Sequence, residues 1–164
     1  MKKLIALTLT LLTLLGAMAS CDESEKTKTY TKDGFSITMN DEFYEKELIA
    51  YTYYLESPGA IMTALKEEFT LLQDAGLTPD AVNLKQYAEL VILANNSDTS
   101  DVVEEDGLTY FTYTAEVTGK TFYYMCFVYK SADAFWSVNL ACLDAQKDDY
   151  TPKFKEWAKS VVID

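Results

Sequence analysis

Residues 121–129 read TFYYMCFVY, and this stretch decides the fold class of the chain. A strand with one face in water alternates apolar and polar side chains, whereas a strand buried on both faces is apolar throughout. Both alternate sets of side chains in 121–129 are largely apolar. The stretch is therefore predicted to be a central strand of a sheet that is covered on both faces.

Two neighbouring strands are predicted around this one. Residues 108–117 alternate between two faces, and Thr118-Gly119 then turns the chain into residues 120–130. Residues 131–134 form a second turn that leads into a strand over 135–143. Because both connections are short, the three strands are predicted to form an antiparallel meander.

Two amphipathic segments before the meander are predicted to be helices. From Ala60 to Ala75 apolar residues recur at i, i+4, i+8 and i+11, and Gly76 can end that helix. Asn83 and Gln86 have the spacing of a capping box, which predicts a second helix that runs to about Asn95. Both helices would cover the sheet with their apolar sides.

The two ends of the domain supply the remaining elements. Residues 29–39 alternate around Asp33-Gly34 and predict a short hairpin, and residues 50–56 predict a strand. Thr151 as N-cap and Pro152 at the first helical position predict a terminal helix. Two helices early and one late around an antiparallel sheet indicate an α+β fold, a three-layer α/β/α sandwich.

This order of elements resembles the PsbP-like and Mog1-like fold group, which includes bacterial lipoproteins with a DcrB-like domain. The resemblance covers residues 30–163. It is carried by DGFSITMNDEF at 33–43, FWSVNLAC at 135–142 and AKSVV at 158–162. The resemblance implies a binding or accessory factor without a shared catalytic centre, and no functional motif of the group transfers to this sequence.

The first 20 residues have the features of an export signal. Lys2-Lys3 precede the apolar segment 4–15, which is shorter than the roughly 20 apolar residues of a membrane-spanning helix. Met18-Ala19-Ser20-Cys21 resembles the lipobox of bacterial lipoproteins, although Met18 stands where leucine is commonest. The resemblance implies that Cys21 is lipidated and becomes the mature N-terminus. A signal that is cleaved without lipidation is the alternative.

Three segments are therefore predicted: a signal peptide over 1–20, lipidated Cys21 with a flexible acidic tether to Lys28, and one domain over 29–164. Residues 1–20 hold two of the 14 lysines and no acidic residue, so the rest carries 12 lysines against 26 acidic residues, a formal charge of −14. Anionic lipid and nucleic acid repel such a body. The protein is thus predicted to be attached through acyl chains to the extracytoplasmic face of a bacterial cell membrane. The host could have one or two membranes. Nucleic acid is not a predicted partner.

The absence of two residue types narrows the classes of function. All 14 basic residues are lysine, and the sequence contains no histidine. The commonest general base and zinc ligand is therefore missing, as is the bidentate fork of arginine. No cofactor, metal or catalytic residue is predicted, and the leading hypothesis is a non-catalytic domain that binds a protein or a small ligand. The alternatives are a carboxylate-based hydrolase and a structural envelope component. The carboxylates of a hydrolase would come from one of three acidic clusters: Asp98 with Asp101, residues 104–106, and Asp144 with Asp148-Asp149.

The cysteines of the predicted domain, Cys126 and Cys142, lie on neighbouring strands. If Lys130 pairs with Trp136, the two thiols share a face of the sheet, whereas a shift of one residue puts them on opposite faces. Export permits a disulfide between them. The preferred interpretation is that both are free buried thiols that pack as small apolar residues, and the disulfide is the alternative.

Tyrosine is abundant, with 12 residues, and most of it is expected to pack beneath the helices. Tyr51, Tyr53 and Tyr54 are the candidate binding aromatics, because their rings alternate between the two faces of one short strand. At least one of these rings must leave the more buried face. The functional hypothesis is an aromatic groove for a peptide, a glycan or a partner protein.

Overall fold

A computed structural model of the chain describes residues 26–74, 76–95, 99 and 101–164. The predicted signal peptide, Cys21 and residues 22–25 of the tether lie outside the described residues. Within the described ranges there are ten strands and three α-helices. The strands are β1 (Thr27–Lys32), β2 (Phe35–Asn40), β3 (Tyr44–Glu45), β4 (Tyr53–Glu56), β5 (Ala60–Glu68), β6 (Val103–Glu105), β7 (Leu108–Val117), β8 (Lys120–Lys130), β9 (Ala134–Leu143) and β10 (Val162–Ile163). The helices are α1 (Phe69–Asp74), α2 (Leu84–Asn95) and α3 (Lys147–Lys159).

The larger sheet has seven strands in the order β3-β4-β5-β9-β8-β7-β6, and all its neighbours are antiparallel. The predicted meander is β7-β8-β9, with the predicted bounds for β7 and β8. Four consecutive residues of β8, from Met125 to Val128, are buried, so both of its faces are covered there. The prediction of a doubly covered central strand is confirmed.

The predicted N-terminal hairpin forms a separate small sheet, ordered β1-β2-β10. Its strand β1 begins at Thr27, so Thr27 and Lys28, assigned above to the tether, pair with β2. Phe35, Ile37 and Met39 of β2 are fully buried on one side, as their alternation predicts. The last strand, β10, follows α3 and brings the end of the chain back to β2.

The prediction of a helix from Ala60 to Ala75 is wrong over most of its length. Residues 60–68 form strand β5, between β4 and β9, and only Phe69–Asp74 are helical. Side chains four residues apart share a face in a strand as well as in a helix, so the i, i+4 spacing from Ile61 to Leu65 fits both. The predicted helix end is confirmed, because Gly76 has φ +81° and the next amide, of Leu77, donates to Leu72 O at 2.9 Å.

The start of the terminal helix also differs from the prediction. A 3₁₀ turn over Asp144–Gln146 leads directly into α3 at Lys147, so Pro152 lies inside the helix instead of at its first position. The Thr151 hydroxyl donates to Lys147 O at 2.7 Å, within the helix that it was predicted to cap. Acidic residues in the first turn, Asp148 and Asp149, favour the earlier start because they face the positive end of the helix dipole.

The second helix, α2, begins and ends as predicted. Gln86 N donates to Asn83 Oδ1 at 2.9 Å, and Asn83 N donates to Gln86 Oε1 at 3.0 Å. These two reciprocal bonds are the predicted capping box.

Three layers result, and the large sheet is the middle one. We call the side that packs against α3 and the small sheet the closed face, and the side that packs against α1 and α2 the groove face. The class is α+β with mainly antiparallel sheet, as predicted, but the small sheet shares its layer with α3. The closed face buries Met62, Met125, Phe127, Trp136, Val138 and Leu140, and the groove face buries Phe111, Cys126, Val128 and Phe135.

Candidate functional site

The groove face is covered over only part of its area. A helix of 12 residues such as α2 is about 18 Å long, whereas strands of 10 or 11 residues are about 35 Å long. The two helices contact the half that holds Phe111, Val128 and Phe135. The other half, around Ile61 and Tyr124, is not packed beneath either of them.

Two adjoining cavities lie where the covered half meets the uncovered one. The larger has a volume of about 430 Å³ and the smaller about 240 Å³. We call the two together the tyrosine groove, because Tyr51, Tyr113 and Asn139 line both. The other residues used below are Thr63, Glu67, Phe111, Ser137, Tyr54 and Tyr124.

One wall of the tyrosine groove is a stack of rings. Tyr113 and Tyr124 are directly opposite each other on β7 and β8, so their rings stack at 4.6 Å between centroids and 3° between planes. The ring of Phe111, two residues earlier on β7, is 6.1 Å from that of Tyr113. The Tyr113 hydroxyl donates to Asn139 Oδ1 at 3.1 Å.

The opposite wall is formed by Tyr51 and Tyr54, whose ring centroids are 6.2 Å apart. Tyr54 donates to Glu56 Oε2 at 2.9 Å, and burial together with this bond raises the pKa of Tyr54 to about 12. Tyr51 lies before β4, which begins at Tyr53 instead of at residue 50 as predicted. Its side chain is 39% exposed. Tyr51, Tyr54 and Tyr124 all line the smaller cavity, so the two walls face each other across it, and burial raises the pKa of Tyr124.

The three candidate aromatics therefore separate. Tyr51 and Tyr54 line the tyrosine groove, whereas Tyr53 is on the closed face and only 4% exposed. Its ring meets Phe35 of the small sheet edge-on at 6.3 Å. Tyr53 is a core residue, because alternation along β4 turns it away from Tyr54, while Tyr51 lies before the strand.

Side chains between the two walls were not singled out from the sequence. Ser137 and Asn139 lie in β9 and Thr63 in β5, all on the groove face. Thr63 and Ser137 are buried polar residues, 8% and 6% exposed. A signal for two of them was present: Ser137 and Asn139 are polar residues at alternate positions in an otherwise apolar strand.

Charge is sparse in the tyrosine groove. Glu67 is the one charged residue among the described residues that line it. The Tyr87 hydroxyl donates to Glu67, and burial together with this bond raises the pKa of Tyr87 strongly. Hydroxyl and amide groups therefore dominate the polar surface that a ligand would meet.

The acidic cluster at residues 104–106 forms ion pairs at the surface. Glu105 pairs with Lys155, Asp106 pairs with Lys159 at 3.0 Å, and each lysine lowers the pKa of its partner carboxyl. Asp98, predicted to form a cluster with Asp101, lies outside the described residues. Within the part of the chain that the structure describes, no group of three or more metal-ligating side chains occurs, and no helix is long and apolar enough to cross a membrane.

Of the two registers considered for the cysteines, the structure has the one shifted by one residue. Lys130 pairs with Phe135 instead of Trp136, so Cys126 lies opposite Asn139 and Cys142 lies opposite Tyr123. Cys126 is therefore on the groove face and Cys142 on the closed face. Both are buried free thiols, and no disulfide joins them.

Comparison with known proteins identifies the fold. No family model and no curated protein matches the chain. Among solved structures, cyanobacterial PsbP (CyanoP) from Synechocystis sp. PCC 6803 has a TM-score of 0.53 at 14% identity over 91% of this chain and 100% of that chain. A protein from Bacteroides thetaiotaomicron VPI-5482 has a TM-score of 0.53 at 12% identity over 85% of this chain and 49% of that chain. LpqN, described as involved in cell envelope biogenesis of Mycobacterium tuberculosis, has a TM-score of 0.40 at 12% identity over 84% of this chain and 90% of that chain.

The PsbP-like fold predicted from the sequence is thus confirmed. At identities of 12–14% the likeness concerns the fold alone. Any function must be argued from the site.

Proposed function

We propose that this protein is a lipid-anchored, extracytoplasmic binding domain that acts as an accessory factor without catalysis of its own. The observation that carries the proposal is the tyrosine groove, an exposed concave surface that meets the uncovered half of a sheet. Concave sites with aromatic walls and a few placed polar groups are the usual form of ligand sites. The groove is therefore the proposed binding surface.

The side chains of the groove favour binding over hydrolysis. A glycosidase-type mechanism needs two carboxyl groups flanking one bond, one of them with a raised pKa. Glu67 is the single acidic residue among the described lining residues of the groove. Where the pKa of a described carboxyl is shifted, at Glu56, Glu105, Asp106 and Asp133, it is lowered by a hydrogen bond to lysine.

The anchor is proposed from the sequence around Cys21. The acidic body is repelled by anionic lipid, so acyl chains would have to hold it at the membrane. In this proposal the short tether that ends before β1 keeps the groove within reach of molecules in the envelope.

Replacement of the anchoring residue tests the location. We expect Cys21→Ser to move the folded protein from the membrane fraction to the soluble fraction. The matched control is Cys142→Ala, which removes a thiol inside the domain and should leave the protein on the membrane. Retention of Cys21→Ser on the membrane, or an unmodified residue 21 in mass spectra of the native N-terminus, would contradict the anchor.

Site-specific crosslinking tests the groove. A photoreactive phenylalanine analogue in place of Tyr51 should crosslink a defined molecule in intact cells. The same analogue in place of Val162 is the control, because Val162 is 58% exposed on the small sheet, away from the groove face. Equal crosslinking at both positions, or none at position 51, would count against binding through the groove.

A further inference from the structure

We propose that the tyrosine groove binds a neutral saccharide. This inference rests on the proposed binding function and names the class of ligand that fits the groove. The larger cavity, about 430 Å³, is within the range of about 300–1,000 Å³ that is usual for small-ligand sites.

The negative charge of the groove and of the whole domain disfavours an anionic ligand. No lysine is among the described residues that line the groove, and the one charged group there is the carboxylate of Glu67. The chain from residue 21 onward has a formal charge of −14, which repels anions over the whole surface. A phosphate or carboxylate ligand would enter without a counter-charge.

The packing of the rings disfavours a cation held by aromatic faces. A cation–π site needs open ring faces around the charge. Tyr113 and Tyr124 instead stack on each other at 4.6 Å, so each ring covers one face of the other, and Phe111 is 6.1 Å from Tyr113. The Tyr113 hydroxyl is directed at Asn139, which also lines the groove.

The backbone of the strands beneath the groove disfavours the binding of an extended peptide. Peptides that add a strand to a sheet need an unpaired edge. The groove lies on the face of β5, β9 and β8, whose backbones are paired on both sides in the ladder order β4-β5-β9-β8-β7. These strands therefore present side chains, and no unpaired strand edge, to a ligand in the groove.

The remaining chemistry matches a sugar. Within the described residues no hydrogen bond engages the hydroxyls of Tyr51 and Tyr124, and the Asn139 amide nitrogen has no acceptor there. These three groups, with buried Ser137 and Thr63 beneath them, form a cluster of neutral donors and acceptors. A saccharide presents many hydroxyls around a compact ring, and the partly exposed ring of Tyr51 can pack against its C–H face.

Titration of the purified, lipidated chain tests the ligand class. The detergent must not be a glycoside, because a sugar headgroup would compete. The probes are cellobiose, maltose and chitobiose as neutral disaccharides, a sugar phosphate as the anion and choline as the cation, followed by calorimetry and saturation-transfer NMR. We expect at least one neutral disaccharide to bind, and to bind more tightly than the sugar phosphate and choline.

Two neighbouring tyrosines supply the matched variants. Tyr124→Phe removes one groove hydroxyl and keeps the ring, and it should weaken disaccharide binding by roughly three- to tenfold, the cost of one lost hydrogen bond. Tyr123→Phe makes the same change on the closed face and should leave binding unchanged.

The saccharide assignment would be overturned if no neutral disaccharide bound, if either charged probe bound more tightly, or if Tyr124→Phe had no effect. Crosslinking from position 51 separates this outcome from failure of the proposed function. A crosslink to a protein or a charged molecule, together with no sugar binding, would refute the saccharide and leave binding by the groove intact.

Discussion

The two faces of the seven-stranded sheet differ in how completely they are covered. The closed face is sealed by α3 and the small sheet, and its apolar side chains form one large cluster. The groove face has a smaller cluster beneath α1 and α2, and beyond it lie tyrosines and polar side chains in contact with solvent. The larger apolar cluster is therefore on the closed face, whereas the groove face carries the proposed binding site.

Polar contacts attach the covering elements on both faces, and on the groove face the Tyr87 hydroxyl of α2 donates to Glu67 of β5. On the closed side, the Thr38 amide of the small sheet donates to Ser160 Oγ at 2.8 Å, which ties that sheet to the end of α3. Lys155 and Lys159 of α3 also pair with Glu105 and Asp106. On the groove side, Leu71 of α1 and Leu93 of α2 point outward, 63% and 76% exposed.

The largest difference between the faces should appear on truncation of a leucine. Leu140→Ala removes a fully buried side chain of the closed face and should lower the free energy of unfolding by about 2–5 kcal/mol. Leu93→Ala makes the same change at an exposed position above the groove face and should change it by less than about 0.5 kcal/mol. Denaturant unfolding measures both, and equal losses would show that the faces do not differ in stability.

The two buried thiols report on local opening of each face. Burial raises the pKa of Cys126 to about 12 and that of Cys142 to about 11, so neither should react with iodoacetamide in the folded protein. We expect Cys126 to be alkylated first as denaturant rises, roughly tenfold faster than Cys142, because only α2 must move to uncover it. Mass spectrometry of Cys21→Ser variants that keep one of the two thiols measures the rates. Because the lower pKa of Cys142 favours its alkylation, faster labelling of Cys126 cannot come from thiol acidity, and equal rates at the two thiols would contradict the expected difference in opening.

The smallest expected effect is the pH dependence of the stability that the ion pairs of α3 contribute. Lys155 and Lys159 lower the pKa values of Glu105 and Asp106 below the ordinary 4.5 and 3.8. A carboxyl whose pKa is lower in the folded state contributes stability above its unfolded pKa and loses it as pH falls through the folded value. We therefore expect a Lys155→Gln, Lys159→Gln variant to lose less stability than the parent when pH falls from 6 to about 3.

The control for this comparison is Lys85→Gln, on an exposed position of α2. It should leave the pH dependence of the parent unchanged. High salt should reduce the difference between the parent and the double variant, because exposed pairs are screened. An unchanged pH profile in the double variant would show that these pairs do not hold α3.

Elements whose sequence pattern is compatible with only one type of secondary structure were predicted with accurate bounds. The β7 and β8 strands, the turn at Thr118-Gly119 and the capping box at Asn83 rest on local geometry that admits few alternatives. The segment from Ala60 failed because an i, i+4 pattern is shared by strands and helices. Its assignment to β5 depends on β4, which precedes it by a three-residue turn, and on β9, which pairs with it from a distant part of the chain.

That single error also concealed the site. The walls of the tyrosine groove come from residues 51–54 and from β7 and β8, more than 50 residues apart along the chain. The strand β5 joins β4 to β9 and so places the two walls on one sheet. With residues 60–68 read as a helix, the excess of tyrosine was visible but its convergence was not.

The sequence by itself determined the sandwich class, the doubly buried central strand and the acidic charge, because composition and short-range periodicity encode them. The tertiary structure alone decided which tyrosines face solvent, that Cys126 and Cys142 lie on opposite faces, and that Asn139 stands between two aromatic walls. Each of these depends on strand order and on a register that shifts every side chain to the other face when it slips by one residue. Such long-range pairing is selected by the packing of the whole core, which no local pattern in the chain contains.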